Sequence, residues 1–243
     1  QNAPQIEPTK GVSISIPAAI ITAGVVIALA LVLSGKGTNK DDGTLKNNQI
    51  TPPNEEQAMT PPSDVSARAT DHVRGDLSKA EVVIVEYSDS DCPFCQRFHV
   101  TMKDTLKKYG TKVAWIYRHF PLDMHPNAHN EAYALECVSS LGGNEAFWSY
   151  LDNVIDLTVS ADKSKPILTG MATSLGIGAA AFENCTSSAA IKAVVQAQSL
   201  EAQALGAKGT PYSVAFNKAG KQIVIPGAVP IEELTKTIDG LLK

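Results

Sequence analysis

Cysteine is scarce. Four residues in a chain of 243 are too few for a disulfide-stapled miniature, and their placement divides them into one close pair, Cys92 and Cys95, and two distant singles, Cys137 and Cys185. Charge of one sign is scarce as well. The formal net charge is only -4 and its contributors are mixed along the chain, with no basic stripe and no aromatic-basic interleaving. That excludes the electrostatic footprint of phosphate tracking, so no nucleic-acid partner is expected. No internal repeat is found. Charged residues are missing between Val12 and Leu33, and large apolar residues are few from Gly35 to Thr70. Those two deficits leave one folded domain, for which the 44% apolar content supplies a core.

Residues 1–11 form a short flank, and residues 12–34 are expected to be a transmembrane anchor. At about 1.5 Å per residue a helix over the uncharged run crosses a hydrocarbon core of roughly 30 Å, and no polar face interrupts Ile14 to Leu33. A cleaved signal peptide is the competing reading, although the run is long for an h-region and no small-x-small site clearly follows Leu33. Lys10 before the span against Lys36, Lys40 and Lys46 after it favours a cytoplasmic C-terminal side by charge alone. The cysteine chemistry below argues for the extracytoplasmic side instead. Residues 35–70, polar and punctuated by Pro52-Pro53 and Pro61-Pro62, are expected to be a flexible stalk or spacer.

From residue 71 to 243 the pattern is α/β. Val82 to Tyr87 suits a strand covered on both faces, Phe98, Met102, Leu106 and Tyr109 line one helix face with Gly110 as its stop, and Val113 to Arg118 is a second strand. Together they predict a right-handed parallel βαβ unit. Only helical patterns occupy about 122–186, an inserted helical subdomain. A helix over 189–205, strands over 212–216 and 222–225 around the turn Asn217 to Gly220, and a helix over 231–242 complete the chain.

Cys92-Pro93-Phe94-Cys95 falls where the first strand ends and the first helix begins. There the helix dipole and free N–H groups favour a thiolate, so Cys92 is the candidate nucleophile and Cys95, one turn on, the resolving thiol. A static disulfide or half a zinc site uses the same spacing. Zinc needs two further ligands, and Cys137 and Cys185 are isolated in helical patterns. His125 and His129 are four apart, but Pro126 argues against one helix spanning both. No metal and no cofactor is expected. Glu86, alone among apolar neighbours in its strand, is the candidate proton acceptor for Cys95, the alternative being a side chain that reaches solvent. His99, four residues after Cys95, is expected to be an exposed helix residue, the alternative being a side chain on the same helix face that influences Cys95 electrostatically. Thr210-Pro211 precedes a strand, where proline is either an ordinary strand-start residue or a cis peptide beside the site.

These motifs, with His72-Val73-Arg74-Gly75-Asp76, Glu86-Tyr87-Ser88-Asp89, His119-Phe120-Pro121-Leu122 and His125-Pro126-Asn127-Ala128, resemble the DsbA-like branch of the thioredoxin superfamily. The resemblance covers about 71–243 and implies a thioredoxin fold with the helical insertion. It implies that Pro211 is cis and faces the Cys92 sulfur, and that the Thr210 backbone pairs with an extended substrate segment. It also implies an extracytoplasmic enzyme that passes disulfides to reduced or unfolded exported proteins and is reoxidised by a membrane partner similar to DsbB or vitamin K epoxide reductase. Some members carry a second disulfide, so Cys137 and Cys185 are either bridged or two buried thiols. The best-known members have histidine between the cysteines. Phe94 cannot donate a hydrogen bond, so Cys92 is expected to be less acidic than the value of about 3.5 known for such a relative. An isomerase or reductase would use the same pair, and a tethered peptide-binding chaperone would use the groove near Pro211 without turnover.

Overall fold

The structure is a computed structural model that describes residues 65–157 and 163–243. The expected membrane anchor at 12–34 and most of the expected stalk lie outside the described residues. Among the described residues, no helix is long and apolar enough to cross a membrane.

Five strands form one sheet in the order β1-β3-β2-β4-β5: β1 (His72–Arg74), β2 (Val82–Ser88), β3 (Val113–His119), β4 (Tyr212–Asn217) and β5 (Gln222–Pro226). β2 and β3 run parallel, and the other pairings are antiparallel. The crossover between β2 and β3 is α1 (Pro93–Tyr109), closed by Gly110 at a φ of 55°, a conformation that glycine adopts without a Cβ clash.

Every residue of β2 is buried, as its unbroken apolar run requires. Its alternate side chains serve two cores. Val82 and Ile84 join Trp115 and Tyr117 of β3 under α1, α2 (Ala128–Asp156) and α6 (Ile231–Leu241). Val83, Val85 and Tyr87 join Ala114, Ile116 and Val214 on the opposite face, under Ala202 of α5 (Ala189–Ala204) and the following Leu205. Glu86 and Ser88 therefore continue the first face, and that parity aims a carboxylate toward α1.

The helical insertion consists of α2, α3 (Lys165–Ser174) and α4 (Ala179–Thr186). α2 breaks at Gly143, whose φ of 80° and ψ of -175° redirect the chain so that Phe147, Leu151 and Val154 return to the core. A disulfide joins Cys137 of α2 to Cys185 of α4 across a Cα separation of 5.7 Å.

Two features differ from the sequence reading. β1 is too short, at three residues, to carry an alternation that periodicity detects. Val65 and Ser66, assigned by composition to the stalk, pack onto the domain. The Val65 backbone pairs with the Gln222 side chain in both directions, at 3.2 and 3.1 Å. Arg118, fully buried, donates to the Ser66 carbonyl at 2.7 Å and to both oxygens of Asp71 at 2.9 Å.

Candidate active site

Cys92 is the N-cap of α1, with extended backbone (φ -83°, ψ 123°), and Pro93 follows at the first turn, where its missing N–H removes no helical bond. The Cys92 N–H donates to the Asp89 carbonyl at 3.1 Å, and the Cys92 carbonyl accepts the first helical bond, from Gln96 N–H, at 3.0 Å. Both cysteines are free thiols. Cys92 is 3% exposed and Cys95 1%, whereas Phe94 between them is 55% exposed. The approach to Cys92 therefore runs over Pro93 and Phe94, and Cys95 is shielded behind them.

Across from the motif, the Thr210–Pro211 peptide is cis, and the carbonyl oxygen of Thr210 lies 3.6 Å from the Cys92 sulfur. The segment before β4 thus flanks the sulfur, although 118 residues separate the two in sequence.

The two thiols are driven apart in acidity. The Cys92 thiol is pulled down to about 5, first by the hydrogen bond from the Cys95 side chain, with backbone N–H groups of Cys95 and Phe94 adding against the effect of burial. The smaller, backbone part is the free N–H array of a helix start acting on a sulfur. Cys95 moves well above the ordinary thiol range, through burial first, then its bond to Cys92 and the charge of Glu86. At pH 7 the pair therefore holds one thiolate and one thiol.

Glu86 is 1% exposed, which removes the solvent-reaching alternative, and its Oε2 accepts a hydrogen bond from Trp115 Nε1 at 2.9 Å. Burial raises its pKa to about 7, against the hydrogen bonds from Ser88 and Trp115. A carboxyl poised near neutrality beside a buried thiol can take or return one proton at physiological pH.

A second set of residues holds the loop that presents Cys92. Asp89 accepts from Asp91 N–H at 2.9 Å, from Leu122 N–H at 2.9 Å and bonds His125 Nδ1 at 2.7 Å. Asp91 accepts from Asn127 N–H at 3.0 Å and pairs at 2.9 Å with Lys163, which also lies 3.0 Å from Glu131; Ser90 donates to the other Glu131 oxygen. Sequence reasoning missed this buried ion cluster. Asp89 and Asp91 beside the motif were visible, but their partner Lys163 is 72 positions away from Asp91.

His125 stands in a loop and His129 in the first turn of α2, paired with Asp89 and Asp123 respectively. His99 departs from expectation. It is buried, its Nε2 2.6 Å from Asp152 Oδ1, because the second half of α2 covers that side of α1.

Comparison with known proteins accords with this geometry. The thioredoxin family model matches residues 67–240. Among solved structures, Pseudomonas aeruginosa DsbA2 is 25% identical, with a TM-score of 0.59 over 72% of this chain and 97% of that one. Wolbachia pipientis α-DsbA1 is 24% identical, with a TM-score of 0.63 over 72% and 92%. The catalytic domain of Proteus mirabilis ScsC is 19% identical, with a TM-score of 0.59 over 72% and 90%. Curated relatives match in segments: a Na(+)/H(+) antiporter NhaA 1 of Mycolicibacterium vanbaalenii is 37% identical over 87 residues, 35% of this chain and 14% of the antiporter. That of Herminiimonas arsenicoxydans is 29% identical over 153 residues, 63% of this chain and 23% of the antiporter. The chain thus spans less than a quarter of the length of these relatives. By the family match and the fold, the chain belongs to the thioredoxin family and has a DsbA-like fold.

Proposed function

We propose that this chain is a membrane-tethered thiol-disulfide oxidoreductase that inserts disulfides into reduced exported proteins on the extracytoplasmic side. The observation that carries the reading is the placement of the pair: Cys92 caps α1 with the Thr210 carbonyl 3.6 Å from its sulfur and cis Pro211 next in the chain, and Cys95 is buried one turn on, an arrangement that lowers the pKa of Cys92 and raises that of Cys95. A low pKa makes Cys92 a good leaving group and stabilises the dithiol form, which are the properties of a disulfide donor.

In the oxidised protein a substrate thiolate attacks Cys92 Sγ, the Cys92–Cys95 bond breaks, and Cys95 leaves and takes a proton from Glu86. A second substrate thiolate then attacks the substrate sulfur of the mixed disulfide and releases Cys92 as the thiolate. The substrate has lost two electrons to the pair. A membrane reoxidant similar to DsbB or vitamin K epoxide reductase returns the pair to the disulfide. Thr210 and Pro211, flanking the sulfur, hold an extended substrate segment. Anchorage through residues 12–34 rests on the uncharged run in the sequence, and the segmental likeness to proteins named as antiporters is in keeping with a membrane setting.

The test is the reduction potential of Cys92–Cys95 in the full chain, equilibrated against glutathione buffers and read by thiol alkylation. A value near or above about -180 mV is expected of a donor, whereas one near about -270 mV would make the protein a reductase. Full function of a Cys92→Ser, Cys95→Ser variant would favour a tethered chaperone instead.

A further inference from the structure

His72 of β1, His119 at the end of β3 and Glu136 of α2 converge in a cluster that includes neither Cys92 nor Cys95. Glu136 Oε1 lies 2.9 Å from His72 Nε2 and 3.3 Å from His119 Nε2, and the three donor atoms fall within 4.8 Å of one another. All three side chains are buried. We propose that this triad binds one divalent transition-metal ion of the zinc type, through His72 Nε2, His119 Nε2 and a Glu136 oxygen, with a fourth position open.

Three features support it. Ligands about 2.1 Å from a tetrahedral ion stand about 3.4 Å apart, so the two spacings to Glu136 Oε1 require only small displacements. His119 Nε2, on a residue 1% exposed, faces Glu136 without a well-formed hydrogen bond, which is where an ion would complete its valence. The second nitrogen of His72 has its own partner, Ser139 Oγ at 3.3 Å, so the ring can carry its proton on Nδ1 and present Nε2 as a donor.

The rings are also held in place. Phe147 stacks on His72 at 3.8 Å between centroids and meets His119 edge-on at 6.2 Å, while Tyr117 meets His119 at 5.3 Å. Two imidazoles and a carboxylate suit zinc, iron, nickel or copper better than the hard cations calcium and magnesium, which take oxygen ligands. The sequence reading, which weighed only the cysteines and the His125, His129 pair, expected no metal; the present donors are distributed over 65 positions with no recognisable spacing, and the pairing of β1 with β3 and the packing of α2 against β1 assemble them.

The experiment uses the full chain with Cys92 and Cys95 oxidised, so that their sulfurs cannot ligate. After chelator treatment it is dialysed against zinc, and bound metal is counted and examined by X-ray absorption. One zinc per chain is expected, with nitrogen and oxygen neighbours at about 2.0–2.1 Å and no sulfur. His119→Gln and Glu136→Gln should each weaken binding at least tenfold. Should either variant fail to fold, the unmodified chain still decides. No retained zinc, a sulfur neighbour, or undiminished binding by both folded variants would overturn the site and leave a hydrogen-bonded network only.

Discussion

The sulfur of Cys92 lies 3.6 Å from the carbonyl oxygen of Thr210, so the start of α1 and the peptide before β4 meet at one reactive atom. That atom is acidic because the Cys95 thiol, and to a lesser extent the N–H groups of the helix start, donate to it, and the consequence is measurable. In the reduced protein, alkylation of Cys92 should reach half its maximal rate near pH 5. A midpoint near the free thiol value of about 8.5 would remove the basis for the donor reading.

The same shift couples redox state to stability. A group whose folded pKa is depressed contributes stability that is complete above its unfolded pKa and lost as pH falls through the folded one. Only the reduced form carries this group, while Glu86 titrates in both forms and largely cancels. Between pH 5 and 8 the reduced form should therefore gain on the oxidised form with rising pH, by at most about 1.4 kcal/mol per unit. Urea unfolding of both forms at four pH values checks it, and a difference independent of pH would contradict the Cys92 assignment.

Phe94, between the two cysteines, is the position at which substitution should change the strength of the pair. It is 55% exposed and contacts the Arg97 guanidinium over its ring at 4.7 Å, so a substitution there perturbs no core. Phe94→His adds a hydrogen-bond donor and partial positive charge beside the sulfur. The Cys92 pKa should fall below about 5 and the pair should become more oxidising, read by thiolate absorbance near 240 nm and by glutathione equilibration. An unchanged titration would show that the helix start, and not the intervening residue, governs this sulfur.

The sequence carried what local pattern can carry. β2, α1, β3 and the final strand pair follow from periodicity, and the position of Cys92 at a strand-to-helix junction follows from them. Glu86 was legible because a lone carboxylate in an apolar strand requires an explanation. Lys163 and His119 were not, since their roles arise from partners on distant elements. His99 was misjudged because its i+4 relation to Cys95 says nothing of the helix that later covers it. The Thr210–Pro211 conformation and the Cys137–Cys185 bridge were open from residue pattern alone.

That bridge closes a loop of 48 residues within the helical insertion. Chain-entropy arguments place the stabilisation from a loop of this size at about 4 kcal/mol. A Cys137→Ala, Cys185→Ala variant should lose up to that much, seen as a lower urea midpoint, while the Cys92–Cys95 potential stays the same. A changed potential would mean that the insertion, and not only the helix start, tunes the active pair.

Glu86 lies buried with Trp115 Nε1 donating to its carboxylate at 2.9 Å, and burial raises its pKa from 4.5 to about 7. A raised folded pKa contributes stability that is complete below about 4.5 and lost as pH rises through 7, so at pH 8 the protein carries a penalty of about 3 kcal/mol. Glutamine has the same shape and no charge, and its carbonyl oxygen can still accept from Trp115. Glu86→Gln should therefore be more stable at pH 8 by up to that amount and nearly unchanged at pH 4. It should also be reoxidised more slowly, and the rate of that half-reaction should no longer rise with pH through 7, because no carboxylate remains to take the proton of Cys95 as its sulfur attacks the mixed disulfide with the reoxidant. Greater stability with unchanged kinetics would leave Glu86 a buried acid without a part in proton transfer. Lower stability at pH 8 would instead mean that the charged carboxylate is held by more hydrogen bonding than Ser88 and Trp115 provide.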